Sequence, residues 1–314
     1  MFEVLITEPI AEEGIALLRQ KSRVDCRPLL SPCELAGAIG LYDALIVRSR
    51  TRVTEEVIEA GRRLKVIARA GAGLDNIDLE AARRRGIVVV SAGESVAVAV
   101  AELTLGLMLS LARRIPQAHF SVKEGRWEKH SFVGVQLQGK TLGIIGLGRV
   151  GTALARRALA LEMEVIATDP FLPPERASRL GVALVPLEEL LRRADFVSIH
   201  VPLNPQTRGM IGWEEICLMK PTAYLINTAR GGVVDESALI RALEEGRIAG
   251  AALDVFEEEP PVRSPLLKSD RVILTPHIGA STREAQTMAS LEVARKVLEI
   301  LQNGGEAQED SGDG

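Results

Sequence analysis

Residues 141–151 read Thr141-Leu142-Gly143-Ile144-Ile145-Gly146-Leu147-Gly148-Arg149-Val150-Gly151, and a stretch with apolar residues at helical spacing follows as far as residue 161. A strand therefore passes into a helix through three glycines, the sequence form of the first β–α turn in a parallel α/β unit. Gly146 permits a turn too tight for a side chain, Gly148 lets the backbone approach a ligand, and Gly151 lets helix and strand pack closely. The N-terminus of the helix then favours negative charge. Asp169 closes the next apolar run, 164–168, eighteen residues after Gly151. A glycine-rich strand–helix turn also occurs without a ligand, but here strand, glycine spacing, helix and distal carboxylate all agree on a dinucleotide. The Asp169 carboxylate would accept hydrogen bonds from ribose hydroxyls and repel a 2′-phosphate. NAD is thus expected rather than NADP, with Arg149 and Val150 completing the turn.

The same alternation runs along most of the chain. Apolar, β-branched runs occur at 3–7, 44–48, 65–69 and 87–90, and again at 141–145, 164–168, 196–200, 223–227, 250–254 and 272–275. Helical patterns lie between them, for example at 12–20, 149–161, 236–245 and 282–301. Strands apolar on both faces and separated by helices form parallel sheets with right-handed crossovers. A chain of 314 residues is long enough for about two domains. The expectation is an α/β protein of two Rossmann-like or flavodoxin-like lobes with parallel sheets and a cleft between them. Residues 1–91 plus 282–304 form one lobe in this reading, with the final helix returning to pack on it. Residues 92–281 form the nucleotide-binding lobe, and the polar, glycine-rich tail at 305–314 is expected to be disordered.

Composition removes other classes. A net charge of −4 offers no basic footprint for nucleic acid or anionic lipid, and 3% aromatic residues are too few for a base-stacking platform. The most apolar run, 96–112, is interrupted by Glu102 and followed by Arg113 and Arg114, so a buried helix is expected and no membrane span. The start Met1-Phe2-Glu3-Val4 lacks the basic and apolar regions of a secretory signal. Three cysteines without Cys-x-x-Cys spacing suggest neither a disulfide framework nor a metal site, and a cytoplasmic location is expected.

Of four histidines, His119 and His130 stand in polar stretches, whereas His200 and His277 follow apolar strands. Ligands of open α/β sheets bind at such C-terminal strand ends. An imidazole there is suited to exchanging a proton with a carbonyl or alcohol near neutral pH, although a buried histidine satisfied by backbone has the same pattern. Glu257, Glu258 and Glu259 precede Pro260-Pro261 and offer a carboxylate partner, or form a solvated acidic loop. Arg230 follows another strand, where it could grip a carboxylate in a two-pronged pair or lie on the surface.

Five separated stretches carry a family resemblance. They are Arg69-Ala70-Gly71-Ala72-Gly73-Leu74-Asp75-Asn76-Ile77-Asp78, the block 139–151, and His200-Val201-Pro202-Leu203-Asn204-Pro205-Gln206-Thr207-Arg208. The others are 227–235 and the pair formed by 254–260 and Pro276-His277-Ile278-Gly279-Ala280-Ser281-Thr282. With these the chain resembles the D-2-hydroxyacid dehydrogenases over nearly its whole length, most closely the D-3-phosphoglycerate dehydrogenases. The resemblance implies a catalytic trio of Arg230, Glu259 and His277. His277 would exchange the proton with the 2-oxo or 2-hydroxy group, Glu259 would support the imidazolium, and Arg230 would hold the substrate carboxylate and polarise the carbonyl. It also implies that Asp254 faces the nicotinamide amide and that His200, Pro202, Thr207, Thr228 and Gly279 line the NAD site. Backbone amides at Ala72 and Gly73 resemble the family's carboxylate-binding turn.

Arg48 and Arg69 match basic positions of the phosphoglycerate dehydrogenases, and Lys129 would add charge from a neighbouring subunit. These favour 3-phosphoglycerate and 3-phosphohydroxypyruvate as substrates. A hydroxypyruvate or glyoxylate reductase without phosphate preference is the alternative. A more distant one is a binding protein like the C-terminal-binding-protein corepressors, which bind NAD to control partner association. One departure concerns the substrate: where the family commonly reads Asn-Ala-Pro-x-x-Asn, this chain reads Ser91-Ala92-Gly93-Glu94-Ser95-Val96. Val96 makes none of an amide's hydrogen bonds, and Glu94 adds negative charge. The resemblance further implies a homodimer through the NAD-binding lobe, with 96–111 as the contact. Because the sequence stops soon after Gln302, feedback through a further regulatory domain is not expected.

Overall fold

A computed structural model describes residues 1–28 and 30–303, except for the side chain of Glu94. The tail expected at 305–314 and the charge expected from Glu94 lie outside the described residues. By its internal contacts the chain divides into two compact units: Met1–Ala97 with the chain from Ala280 onward, and Val98–Gly279.

The first unit opens with β1 (Phe2–Ile6), α1 (Glu12–Arg19), β2 (Ser22–Cys26), α2 (Pro32–Ala38), β3 (Ala44–Val47), α3 (Glu55–Ala60), β4 (Val66–Arg69), α4 (Leu79–Arg84) and β5 (Val88–Ser91). Among the described residues these five strands pair in parallel in the order β2-β1-β3-β4-β5. This is the flavodoxin-like order. Central β3, Ala-Leu-Ile-Val, is buried at every residue, as a strand covered on both faces must be. Helix starts are specified locally. Ser31 and Glu34 form a reciprocal capping box on α2, with Pro32 at the first helical position, and Asp78 accepts the Ala81 amide at 2.9 Å on α4.

Helix α5 (Gly93–Arg113) carries the chain out of this unit, and the division falls inside the helix rather than at residue 92. Its first turn belongs to the first unit, where the Ser95 hydroxyl donates to Glu292, and just ahead of it Lys296 Nζ donates to Ser91 O at the end of β5, at 3.1 Å. The segment Ser95–Arg113 has the length and mean hydropathy of a membrane span, but half of it is buried within the protein. Ala101, Leu107, Met108, Leu111 and Ala112 belong to the core of the second unit.

The second unit continues with α6 (Ile115–Lys123), β6 (Thr141–Ile145), α7 (Arg149–Ala160), β7 (Glu164–Thr168), α8 (Pro174–Arg179), β8 (Ala183–Leu184), α9 (Leu187–Arg193) and β9 (Phe196–Ile199). It ends with α10 (Trp213–Leu218), β10 (Tyr224–Asn227), α11 (Glu236–Glu244), β11 (Gly250–Leu253) and β12 (Val272–Leu274). Among the described residues seven strands form a parallel sheet in the order β12-β11-β10-β9-β6-β7-β8. Alternate residues of one strand serve opposite faces: Val197, Ile199, Leu225 and Leu253 join one apolar cluster, while Phe196, Ile226 and Ala252 join the other. The strand order reverses between β6 and β9, the Rossmann switch point, and ligands of such sheets bind beyond the C-terminal strand ends there. Helix α12 (Arg283–Gln302), capped by Thr282, then packs on α1, β4 and β5 of the first unit.

The expected α/β class with two parallel sheets is the observed one, and two strands join it that no apolar run announced. Ser22-Arg23-Val24-Asp25-Cys26 and Ala183-Leu184 are edge strands, each paired on one side, so water covers much of what a central strand would bury.

Candidate active site

Gly146 has φ +92°, and a Cβ there would lie 2.8 Å from the carbonyl oxygen of His200 on the adjoining strand end. At Gly151 a Cβ would come within 2.2 Å of Gly146 O. At Gly148 it would meet nothing within 4 Å, and no side chain caps the helix that starts there. An open glycine turn at an uncapped helix N-terminus fits a pyrophosphate. Asp169 Oδ2 accepts from Leu147 N at 2.9 Å and Oδ1 from Phe171 N at 3.0 Å. The carboxylate thus braces the glycine turn itself, and its remaining lone pairs are available to ribose hydroxyls. Arg149 is exposed at the turn and Val150 is half-buried beside it.

His200 stands just past β9 with its imidazole Nε2 2.8 Å from Ser198 Oγ. Burial pushes its pKa down from 6.5 to about 3, which keeps the ring neutral. Because the folded protein resists a proton that the unfolded chain accepts, stability falls as pH drops from 6.5 toward 3. The slope for one such group is about 1.4 kcal/mol per pH unit. Urea unfolding of the wild type and His200→Gln at pH 7 and pH 5 is therefore expected to show a shallower acid loss in the variant; equal losses would contradict this. The neighbouring loop is built by Thr207, whose Oγ1 donates to Pro202 O at 2.6 Å and accepts from Asn204 N at 2.9 Å.

Beyond β11 and β12 the chain brings a histidine and a carboxylate together. His277 Nδ1 lies 2.8 Å from Glu259 Oε2, with both side chains partly exposed. The other Glu259 oxygen accepts from Phe256 N at 3.2 Å. Of the other two acidic candidates, Glu257 instead exchanges bonds with Glu236, its amide donating at 2.7 Å and its carboxylate accepting from Glu236 N at 3.1 Å. His277 has φ +53°, in the left-handed region that non-glycine residues rarely adopt. Buried Asp254 holds that turn: Oδ1 accepts from Thr275 Oγ1 at 2.6 Å and Ile278 N at 2.8 Å, and Oδ2 from Gly279 N at 2.8 Å.

Arg230 follows β10. Its carbonyl accepts from Asn227 Nδ2 at 2.9 Å, Ala229 N donates to Asn227 Oδ1 at 3.0 Å, and Arg230 Nη1 donates to Ala229 O at 2.6 Å. Gly231 sits so close to the next loop that a Cβ would lie 1.7 Å from Phe256 O. Thr104 donates to Val100 O at 2.8 Å and meets Thr228 Oγ1 at 2.8 Å. With the Thr104 proton engaged, Thr228 is the donor in that pair.

The remaining candidates belong to the first unit. Arg48 and Arg69 both stand at strand ends, but Arg69 is turned onto backbone: Nε donates to Arg48 O at 3.4 Å and Nη1 to Gly73 O. Ala72 is exposed and Gly73 half-buried on the turn that follows. Val96 is buried, so that departure replaces an amide with core packing. Glu8, Asn76, Asn227 and Thr104 hold these candidate segments and had no assigned role in the sequence. Glu8 and Asn227 occupy the same strand-end positions that drew attention to the histidines, and Asn76 and Asn227 also lie within stretches that carry the family resemblance.

Comparison with known proteins bears on this arrangement. Residues 105–279 match the model of the D-isomer specific 2-hydroxyacid dehydrogenase, NAD binding domain. The chain is 52% identical over 302 residues to a D-3-phosphoglycerate dehydrogenase of Methanocaldococcus jannaschii, covering 96% of this chain and 58% of that protein. It spans between a half and three fifths of the length of the curated phosphoglycerate dehydrogenases of M. jannaschii, Synechocystis and Archaeoglobus fulgidus. A hydroxypyruvate reductase of Thermotoga maritima is 46% identical over 96% of this chain and 98% of its own length. The crystal structure of an Aquifex aeolicus D-lactate dehydrogenase complexed with NAD and lactic acid superposes with a TM-score of 0.85 at 31% identity, covering 96% of each chain. A strand–glycine–helix turn at the switch point, the matched NAD-binding model and kinship at half identity together place this chain in the D-isomer specific 2-hydroxyacid dehydrogenase family, with NAD as its cofactor.

Proposed function

We propose that this protein interconverts a D-2-hydroxyacid and its 2-oxoacid, with 3-phosphoglycerate and 3-phosphohydroxypyruvate as the preferred pair. The observation that carries the reading is the His277–Glu259 bond at 2.8 Å within the NAD-binding unit. A carboxylate accepts and does not donate, so the proton of that bond sits on Nδ1, and Nε2 is left to exchange the second one. In reduction, Nε2–H of the imidazolium protonates the 2-oxo oxygen; in oxidation, neutral Nε2 removes the hydroxyl proton. Glu259 accepts from Nδ1–H and so fixes the ring and its tautomer. NAD, when bound, would supply or accept the hydride exchanged with carbon 2 of the substrate. Arg230 pairs with the substrate carboxylate and draws charge from the carbonyl, and the amides of Ala72 and Gly73 take part in binding that carboxylate. Asp254, His200, Pro202, Thr207, Thr228 and Gly279 are assigned to the cofactor's nicotinamide end, with Asp254 acting also through the His277 turn. Arg48 is assigned to the phosphate, helped by Arg69 and by Lys129 from a second subunit.

The test is NADH oxidation with 3-phosphohydroxypyruvate, hydroxypyruvate and glyoxylate at matched concentrations. A preference of about a hundredfold in kcat/KM for the phosphorylated acid is expected, a difference of only ~2.7 kcal/mol. Equal or reversed preference favours a hydroxypyruvate reductase. That second reading has its own support in the Arg69 guanidinium, which is engaged on the carbonyls of Arg48 and Gly73. NADH binding without turnover of any of the three would remove both.

A homodimer belongs to the same proposal. Val98 and Leu109 on α5, Phe120 and Val122 on α6, and Trp127 and Val133 beyond it are exposed apolar residues close together in sequence within the second unit. Apolar surface side chains of this kind are what a subunit contact would cover. Sedimentation equilibrium is expected to give twice the chain mass, and the mass of one chain would count against it. A cytoplasmic location accords with Cys26, Cys33 and Cys217, which are exposed and free of disulfides.

A further inference from the structure

Glu8, directly beyond the residue that follows β1, is buried with 6% of its surface exposed. Its carboxylate gathers three backbone amides from one loop. Oε1 accepts from Arg48 N at 2.9 Å, Arg50 N at 3.2 Å and Thr51 N at 2.9 Å, and Oε2 accepts from Arg50 N at 3.1 Å. The loop's carbonyls are held as well. Asn76 Nδ2 donates to Arg48 O at 2.8 Å and Thr51 O at 2.7 Å, and Arg69 Nε reaches Arg48 O at 3.4 Å. Arg48 Nη1 donates to Pro9 O at 3.3 Å, so adjacent residues grip both the backbone and the guanidinium of Arg48. Thr7 and Thr51 hydroxyls close the same junction at 2.9 Å.

A buried carboxylate is stable only where hydrogen bonds replace its hydration, and this one takes its donors from the loop. Two consequences follow. The loop is locked into one conformation by groups on three other segments. The amides of Arg48, Arg50 and Thr51, a ready anion nest, are already occupied by an internal anion.

We propose that Glu8 is a positioning residue for substrate recognition: it fixes the 48–51 loop so that an anionic substrate group is read by the Arg48 side chain and not by loop amides. The proposal rests on the assignment of Arg48 to the substrate's anionic end. A glutamate that merely satisfied buried amides would affect folding alone, whereas a positioning glutamate affects KM for the acid.

The experiment measures kcat, KM for 3-phosphohydroxypyruvate and KM for NADH in wild type, Glu8→Gln, Arg48→Gln and the double variant. Glutamine keeps the size of the side chain but turns an NH2 group toward loop N–H donors. Glu8→Gln and Arg48→Gln are each expected to raise KM for the acid about tenfold or more, with kcat and KM for NADH little changed, and the double variant to be no worse than the poorer single one. If Arg48→Gln raises KM and Glu8→Gln does not, the positioning role is overturned while the Arg48 assignment stands. If Arg48→Gln leaves KM unchanged, the Arg48 assignment itself falls and this inference with it. Additive effects would also overturn it, because they would mean that Glu8 does not act through Arg48. Should Glu8→Gln fail to fold, Glu8→Asp keeps the charge and withdraws it by one methylene, and the same KM readout decides.

Discussion

Replacing His277 with asparagine is expected to lower kcat by a factor of 10² to 10⁴, the usual range for loss of a general acid–base, while leaving NADH binding intact. Asparagine is the informative variant because His277 has φ +53°, and asparagine accepts the left-handed region more readily than most residues. Alanine at this position would combine loss of the imidazole with backbone strain of the order of 1 kcal/mol or more. Loss of the acid should appear in kcat and in kcat/KM alike, since the proton moves only in the chemical step. NADH binding, followed by fluorescence titration, should be unchanged within a factor of about two. A variant that loses NADH binding and turnover together would show that His277 supports the fold of the 275–279 turn, and the acid–base assignment would not survive. Glu259→Gln should give the smaller defect of the pair, because it leaves the imidazole in place.

Gly231→Ala is expected to destabilise the protein by more than about 4 kcal/mol, in the range reserved for forced backbone movement, and to abolish activity. The new Cβ would lie 1.7 Å from Phe256 O and 2.1 Å from Phe256 C, and both are backbone atoms that no rotamer change can move. The two segments must separate, and these are the segment bearing Arg230 and the one leading to Glu259. Gly148→Ala supplies the control. Its Cβ meets nothing within 4 Å, so the fold should tolerate it. Thermal unfolding of the two variants should differ by about ten degrees, since about 1 kcal/mol corresponds to about 2–4 degrees for domains of this size. A Gly231→Ala protein that melts with the wild type would show that the two loops are not in contact in solution.

These two substitutions also separate what was readable from what was not. The glycine turn at residues 146–151 was legible because every element of it is local: an apolar run, three glycines, and a helical pattern within about twenty residues. Gly231 carries no comparable local sign, because its constraint comes from Phe256 in the next β–α segment. The imidazole–carboxylate pair was intermediate. His277 and three neighbouring glutamates were visible as strand-end residues, but the residues alone could not choose among Glu257, Glu258 and Glu259. The family pattern chose Glu259, and in the fold Glu259 meets the imidazole while Glu257 turns to Glu236.

The alternation of apolar strands and amphipathic helices, the parallel sheets and the dinucleotide turn were determined by the sequence alone. Each follows from backbone sterics and side-chain period over a few residues, and such rules act before any distant segment is in place. Only the tertiary structure decided that polar Ser22–Cys26 would pair as an edge strand, that Asp254 would hold the His277 turn from 24 residues away, and that Glu8 would take its hydrogen bonds from Arg48, Arg50 and Thr51. Those pairings depend on which strand ends the sheet order brings side by side. That order is set by how helices cover the two faces of each sheet, and no spacing along one segment encodes it.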